Sequence, residues 1–160
     1  VFAAPEYVAN VIKCYRDAID SIEAGTYNKE KVISWMLELE KVYNRGFWSG
    51  YYLGQKLGEW SNGSGSHATQ KKVYIGKGMH YFPKSNIAEF KIEAYDITVG
   101  DTILITGPTT GVKEMEVKEM FVNDINAEKG QKGDSVTIRL DFRIRPSDKL
   151  YKIVENKVEA

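Results

Sequence analysis

The chain has 160 residues, 42% hydrophobic and 28% charged, which is the composition of an ordinary globular protein and excludes disorder throughout. Lysine plus arginine and aspartate plus glutamate each count 22, so the formal net charge is zero and no bulk field gathers nucleic acid or membrane. The single cysteine, Cys14, excludes an internal disulfide and any all-cysteine metal or iron–sulfur site within the chain, and a reducing cytoplasm is the expected compartment.

No apolar run is long enough to span a bilayer, and the opening residues carry charges where a secretory signal needs an apolar core, so no membrane role is expected. The chain opens on Val1 rather than methionine. It reads as a piece of something longer.

Ala4-Pro5-Glu6 opens a helix, with proline suited to the first turn and glutamate favourable at the positive end of the helix dipole. Tyr7, Val8, Val11, Ile12, Tyr15, Ala18, Ile19 and Ile22 recur at three- and four-residue spacing as its apolar face, and Gly25 is placed to end it. Cys14, at the edge of that stripe with no basic cluster near it in sequence, reads as a small buried hydrophobe. Asn28 caps a second helix that runs through Val32, Trp35, Met36, Leu39, Val42 and Tyr43, with Ile33 and Leu37 beside them. The two helices read as an antiparallel hairpin.

The segment 45–54, RGFWSGYYLG, carries glycines every fourth residue among aromatics and reads as an extended strand. Residues 58–69 turn small and polar, the mark of a flexible linker. The expected organisation is a helical hairpin with its glycine/aromatic strand at 1–57, a linker at 58–71 and a β-domain at 72–160.

That β-domain reads as about six strands: 72–81, 87–94, 102–106, 112–122, 135–144 and 149–154. In the second, Ala88, Phe90, Ile92 and Ala94 alternate with charged residues, a half-buried strand. In the fourth, Met115 and Val117 have one parity and Met120 and Val122 the other, so a bend near Lys118 is needed to keep both pairs inside. Gly100-Asp101, Gly133-Asp134 and Ser147-Asp148 each precede a returning strand, an internal echo of turn and strand. The fold class is α+β, with a small closed antiparallel barrel expected after the hairpin.

Taken together, PEYVANVIKCYRDAID at 5–20, NRGFWSGYYLG at 44–54, KKVYIGKGMHYF at 71–82, VGDTILITGPTTG at 99–111 and RPSDKLYKI at 145–153 resemble the C-terminal region of the peptidase U32, or collagenase-like, family. The barrel also resembles the second domain of translation elongation factors. The resemblance implies a fragment that follows a larger catalytic domain. Members are described as proteases, and several are similar to proteins that hydroxylate transfer RNA, ribosomal RNA or quinones with a cysteine-held iron–sulfur cluster. Those cysteines have no counterpart here, so the cluster would belong to the parent protein. The matching positions Tyr15, Arg16, Asp20, Gly46, Gly50, Tyr51, Gly100 and Asp101 carry over as scaffold.

Three functions follow as expectations. The first is a non-catalytic accessory module that positions substrate, RNA among the options, for the missing catalytic domain. Its contacts would be Lys72, Lys77, His80, Tyr81 and Lys84 around one strand, and Arg139, Arg143 and Arg145 on one parity of another, since interleaved bases and aromatics hold phosphates and stack on unpaired nucleobases. The second is a structural or docking module that meets its partner, or another copy, through Trp48, Tyr51, Tyr52 and Trp60. The third, a self-contained hydrolase, would have only His67 and His80 to offer as bases, and neither carries a recognisable motif. No catalytic, cofactor or metal residue is assigned.

Overall fold

The computed structural model describes residues 4–42, 47 and 68–155. Two compact units divide it: one holds the helices, and the other runs from Lys72 to Val154. The glycine/aromatic strand read at 45–54 falls outside the described residues but for Phe47, as does the linker read at 58–71 as far as residue 67. The last two residues of that reading are not linker, since the first strand already begins at Gln70.

In the helical unit, α1 spans Pro5–Glu23 and α2 spans Lys29–Lys41. Pro5 occupies the first turn of α1 after an extended Ala4. The helix ends in a Schellman motif: Gly25 takes φ +66°, its N–H donates to Ile22 O, and the Thr26 N–H reaches back to Ser21 O. Asn28 caps α2 as its type leads one to expect, its side-chain oxygen accepting from the Lys31 N–H at 2.9 Å.

The seam between the helices takes only part of the apolar stripe: Tyr7, Val11 and Ala18 are half-buried on the side of Cys14 and Ser21. Asn10 Nδ2 donates to Glu38 O at 3.2 Å, and the Cys14 thiol faces Trp35 O at 3.9 Å and Asn10 Oδ1 at 3.6 Å. The buried residues of α1 are Cys14 and Ser21. Val8, Ile12, Tyr15, Ile19 and Ile22, grouped with the rest of the apolar face above, are exposed. A single neighbouring helix covers only a narrow stripe, and α1 carries a wider one.

The β-unit contains ten strands: β1 (Gln70–Phe82), β2 (Ile87–Ile92), β3 (Ile97–Thr98), β4 (Thr102–Gly107), β5 (Gly111–Glu116), β6 (Met120–Val122), β7 (Ile125–Asn126), β8 (Lys129–Gly130), β9 (Ser135–Arg139) and β10 (Lys149–Glu155). Eight form one sheet in the order β5-β4-β10-β1-β2-β9-β6-β7, and β3 pairs with β8. The pairs β1/β2, β2/β9, β6/β9, β6/β7, β4/β5, β4/β10 and β3/β8 all run antiparallel. With its two helices the fold is therefore α+β. The expected closed barrel of about six strands is not what the hydrogen bonds draw, because the ladder has two ends, β5 and β7.

Two strand readings are corrected for physical reasons. Residues 112–122 break in two, since Val117 leaves the ladder to exchange backbone bonds with Gly100 and Asp101, and this switches the parity of Met115 and Met120. The strand read at 135–144 ends at Arg139, after which the Leu140 N–H donates to Asn86 O. Leu140 and Ile144 are nevertheless buried, as are Ile75, Phe90, Ile92, Ile97, Ile103, Ile105, Val117, Met120, Val136, Ile138 and Leu150, in one apolar cluster.

The turn echo is a structural repeat. Thr98–Asp101, Gln131–Asp134 and Arg145–Asp148 each place their third residue at positive φ, 92° for Gly100, 99° for Gly133 and 73° for Ser147. In each, the fourth residue's N–H returns to the first residue's carbonyl, the mark of a type II turn. In each, an aspartate oxygen also accepts from the first residue's N–H, at 2.7, 2.8 and 2.9 Å. Each turn then exchanges two backbone bonds with one partner residue, Val117, Ile92 and Gly78 respectively. A short polar side chain thus clamps the turn that returns each strand.

Candidate substrate-contact face

Strand parity decides what the β-unit shows to its surroundings. Across β1, β2, β9 and β6, the row Tyr81, Ala88, Ile138, Met120 points into the core. The next rows therefore point outward: His80, Glu89, Thr137 and Phe121 in one, and Phe82, Ile87 and Arg139 in another. A β-bulge between Gly78 and His80 sets this register.

On that face the His80 and Phe82 rings meet edge to face at 4.5 Å, and Phe82 stays exposed. Ile87, Glu119, Phe121, Thr137, Ile138 and Arg139 line a small depression beside them. Ser135 Oγ donates to Glu89 Oε1 at 2.6 Å, which engages the carboxylate at the centre of the face. Lys84 lies in the exposed turn that joins β1 to β2. Neither it nor Arg139 forms an ion pair among the described residues.

The other residues read as basic contacts are placed differently. Lys72 Nζ lies 4.7 Å from the centre of the Tyr151 ring. Lys77 pairs with Glu93 at 2.8 Å, and Glu93 also accepts from the Tyr74 hydroxyl at 2.6 Å. The Lys77 and Tyr74 hydrogen bonds hold the Glu93 carboxyl below its usual range, while the bond to Glu93, with burial behind it, pushes the Tyr74 phenol up to about 12. Tyr81 faces inward, packs against the core and donates its hydroxyl to Asn86 Oδ1 at 3.1 Å. Arg143 and Arg145 are exposed in the segment between β9 and β10, and Arg145 opens the third clamped turn.

That third turn is the most enclosed. Asp148 is only 2% exposed, and its Oδ2 accepts from Thr110 Oγ1 at 2.5 Å as well as from the Arg145 N–H. A Cβ on Gly107 would fall 1.8 Å from Asp148 Oδ1, so the loop after β4 can close over the carboxylate only with glycine there.

Trp48, Tyr51, Tyr52 and Trp60, read as a docking surface, lie outside the described residues, as does His67. Among the described residues, no three His, Cys, Asp or Glu side chains are grouped as metal ligands would be, and no helix is long and apolar enough to cross a membrane. Burial, with Glu38 and Asp17 nearby, pushes the Cys14 thiol up from its ordinary value, the opposite of an activated nucleophile. Sequence reasoning passed over Phe82, Ile87 and Phe121, the apolar part of the outer face. Their signal was available as parity opposite to Ala88 and Ile138, but the bulge in β1 hides it for Phe82.

Comparison with known proteins adds descent to this geometry. The model for peptidase family U32 matches residues 2–62. Over 148 residues the chain is 49% identical to a collagenase of Porphyromonas gingivalis, a match that covers 92% of this chain and 36% of that protein. Over 153 residues it is 35% identical to an uncharacterized protease of Methanocaldococcus jannaschii, covering 94% of this chain and 37% of the relative. The crystal structure of the C-terminal domain of a Geobacillus thermoleovorans protein assigned to the same peptidase family aligns with 49% of this chain and 90% of that domain, at 16% identity and a TM-score of 0.47. The chain spans well under half the length of the curated relatives it matches.

Proposed function

With homology to peptidase family U32 as the premise, we propose that this chain is a non-catalytic accessory segment of a longer U32-type enzyme, and that it positions an RNA substrate on the outer face of β1, β2, β9 and β6. One observation carries the reading: His80, Phe82 and Arg139 share that face, with Lys84 in the adjoining turn. An aromatic pair can stack on unpaired bases while Arg139 and Lys84 hold phosphates. Glu89 is engaged by Ser135 and opposes this less than a bare carboxylate would. Reaction chemistry is assigned to the remainder of the enzyme. The lone, buried Cys14 does not fit the ligand set of an iron–sulfur cluster, so no step is routed through one here. The clamped turns also favour reading the β-unit as an elongation-factor-like barrel whose closure is completed by side-chain packing rather than by a continuous ladder.

Fluorescence anisotropy of labelled transfer RNA, titrated with the chain at low and near-physiological salt, tests the reading. The expected result is binding that weakens with salt and falls about tenfold in Lys84→Glu/Arg139→Glu. Lys77→Glu, at a cation already paired with Glu93, should change it much less. No binding at low salt, or binding indifferent to the double substitution, would discard RNA as the ligand of this face.

A further inference from the structure

The outer stripe of α1 is arranged like one side of a helix–helix seam. Val8, Ile12, Tyr15, Ile19 and Ile22 follow one another at spacings of four, three, four and three residues, the alternation that gives a 3.5-residue seam. At about 100° per residue the stripe centres roughly 120° around the helix from Cys14, away from the side α2 takes. Ile12, Tyr15 and Ile22 are each more than 60% exposed, and Arg16 and Asp20 pair alongside at 3.9 Å. An apolar strip with a charged rim marks an interface.

Resting on the homology to U32, we propose that this stripe is the seat for a helix from the part of the U32-type polypeptide that this chain does not span. The match to the collagenase covers 92% of this chain but 36% of the collagenase, so about two thirds of such a protein remains to supply the occupant. The family match at 2–62 takes in both helices, which makes the helical unit part of the family's shared body. A second copy of this chain fits the stripe poorly. Antiparallel pairing centred on Tyr15 sets Arg16 against Arg16 of the other copy, and parallel pairing brings no opposite charges together across the seam.

The test mixes the chain with the part of the Porphyromonas gingivalis collagenase that lies outside its match to this chain, purified as a separate monodisperse polypeptide. Size-exclusion chromatography should show a one-to-one complex, and hydrogen exchange of the α1 amides should slow at least about tenfold within it. Ile12→Lys/Ile19→Lys should abolish both effects while circular dichroism keeps its helical signal, and Phe82→Ala should leave both intact. A complex that survives the double substitution overturns the stripe and keeps the accessory-segment reading. No complex at all overturns both. A dimer of the chain alone, broken by the same double substitution, would make a second copy the occupant and overturn the proposal. RNA is absent from the assay, so its result is independent of the anisotropy titration.

Discussion

The two units solve the same problem of burying apolar surface with opposite success. The β-unit gathers Phe90, Ile75, Ile103, Ile138, Leu150 and their neighbours into a cluster almost without exposure. The helical unit instead buries Cys14 and Ser21 and leaves Ile12, Tyr15 and Ile22 outside. A twisted sheet can bury one whole face within itself, whereas a pair of helices shares only one seam and must find a further surface for the rest of a wide stripe. The β-unit therefore has the makings of an independently stable body. The helices have the makings of a part.

The sharpest break in that contrast would come from paired truncations. Phe90→Ala removes a fully buried ring and should cost the β-unit about 3–5 kcal/mol, while Ile12→Ala on α1 should change the stability of the isolated chain by no more than about 0.5 kcal/mol. Urea unfolding followed by near-ultraviolet dichroism reads both. A large loss from Ile12→Ala would mean that the stripe is already covered within this chain.

A smaller effect is expected where loop and turn interlock. Gly107→Ala puts a methyl group 1.8 Å from Asp148 Oδ1 and should destabilise the β-unit by about 1–3 kcal/mol. The added methyl at Gly25, with nothing within 4 Å, meets only the strain of its φ of +66°. Comparing the two alanine variants by thermal unfolding separates a clash from a backbone preference.

The smallest effect lies at the surface of the β-unit, in the chain of Lys77, Glu93 and Tyr74. Glu93 titrates below its ordinary range, so its contribution is present above the usual carboxylate pKa and is lost as pH falls through the depressed value. Tyr74 is raised to about 12, so its contribution is present below the ordinary phenol value near 10 and is lost as pH climbs through about 12. Ultraviolet titration of tyrosinate should show one component near 12, which moves down toward the ordinary range in Glu93→Gln. An unchanged titration in that variant would mean the Tyr74–Glu93 bond is not made in solution.

Local chemistry was legible where the cause lies within a few residues. The Asn28 cap, the stop at Gly25 and the alternation of Ala88, Phe90 and Ile92 needed only side-chain type and spacing. The three aspartate turns were visible as an echo, because a glycine or serine at positive φ followed by aspartate is a local motif. The break near Lys118 followed from parity alone, although its partners Gly100 and Asp101 did not. The candidate face was half legible. Its charged residues were visible as a pattern, but the sequence could not separate Lys77, neutralised by Glu93, from Arg139, nor turn Tyr81 inward past the bulge.

The amino-acid sequence by itself determined the α+β class, both ends of α1, the start of α2, the clamped turns and the kinship with peptidase family U32, all of which depend on short-range chemistry or on residue identity. The end of α2 is different: read through Val42, the helix stops at Lys41 with Val42 extended. Tertiary structure alone decided the sheet order, its two open ends, the residues that share the outer face and the helix stripe left uncovered. Those outcomes depend on which distant segments pair and how much surface each neighbour can cover. Periodicity specifies a face of a helix or strand, and only packing specifies what that face meets.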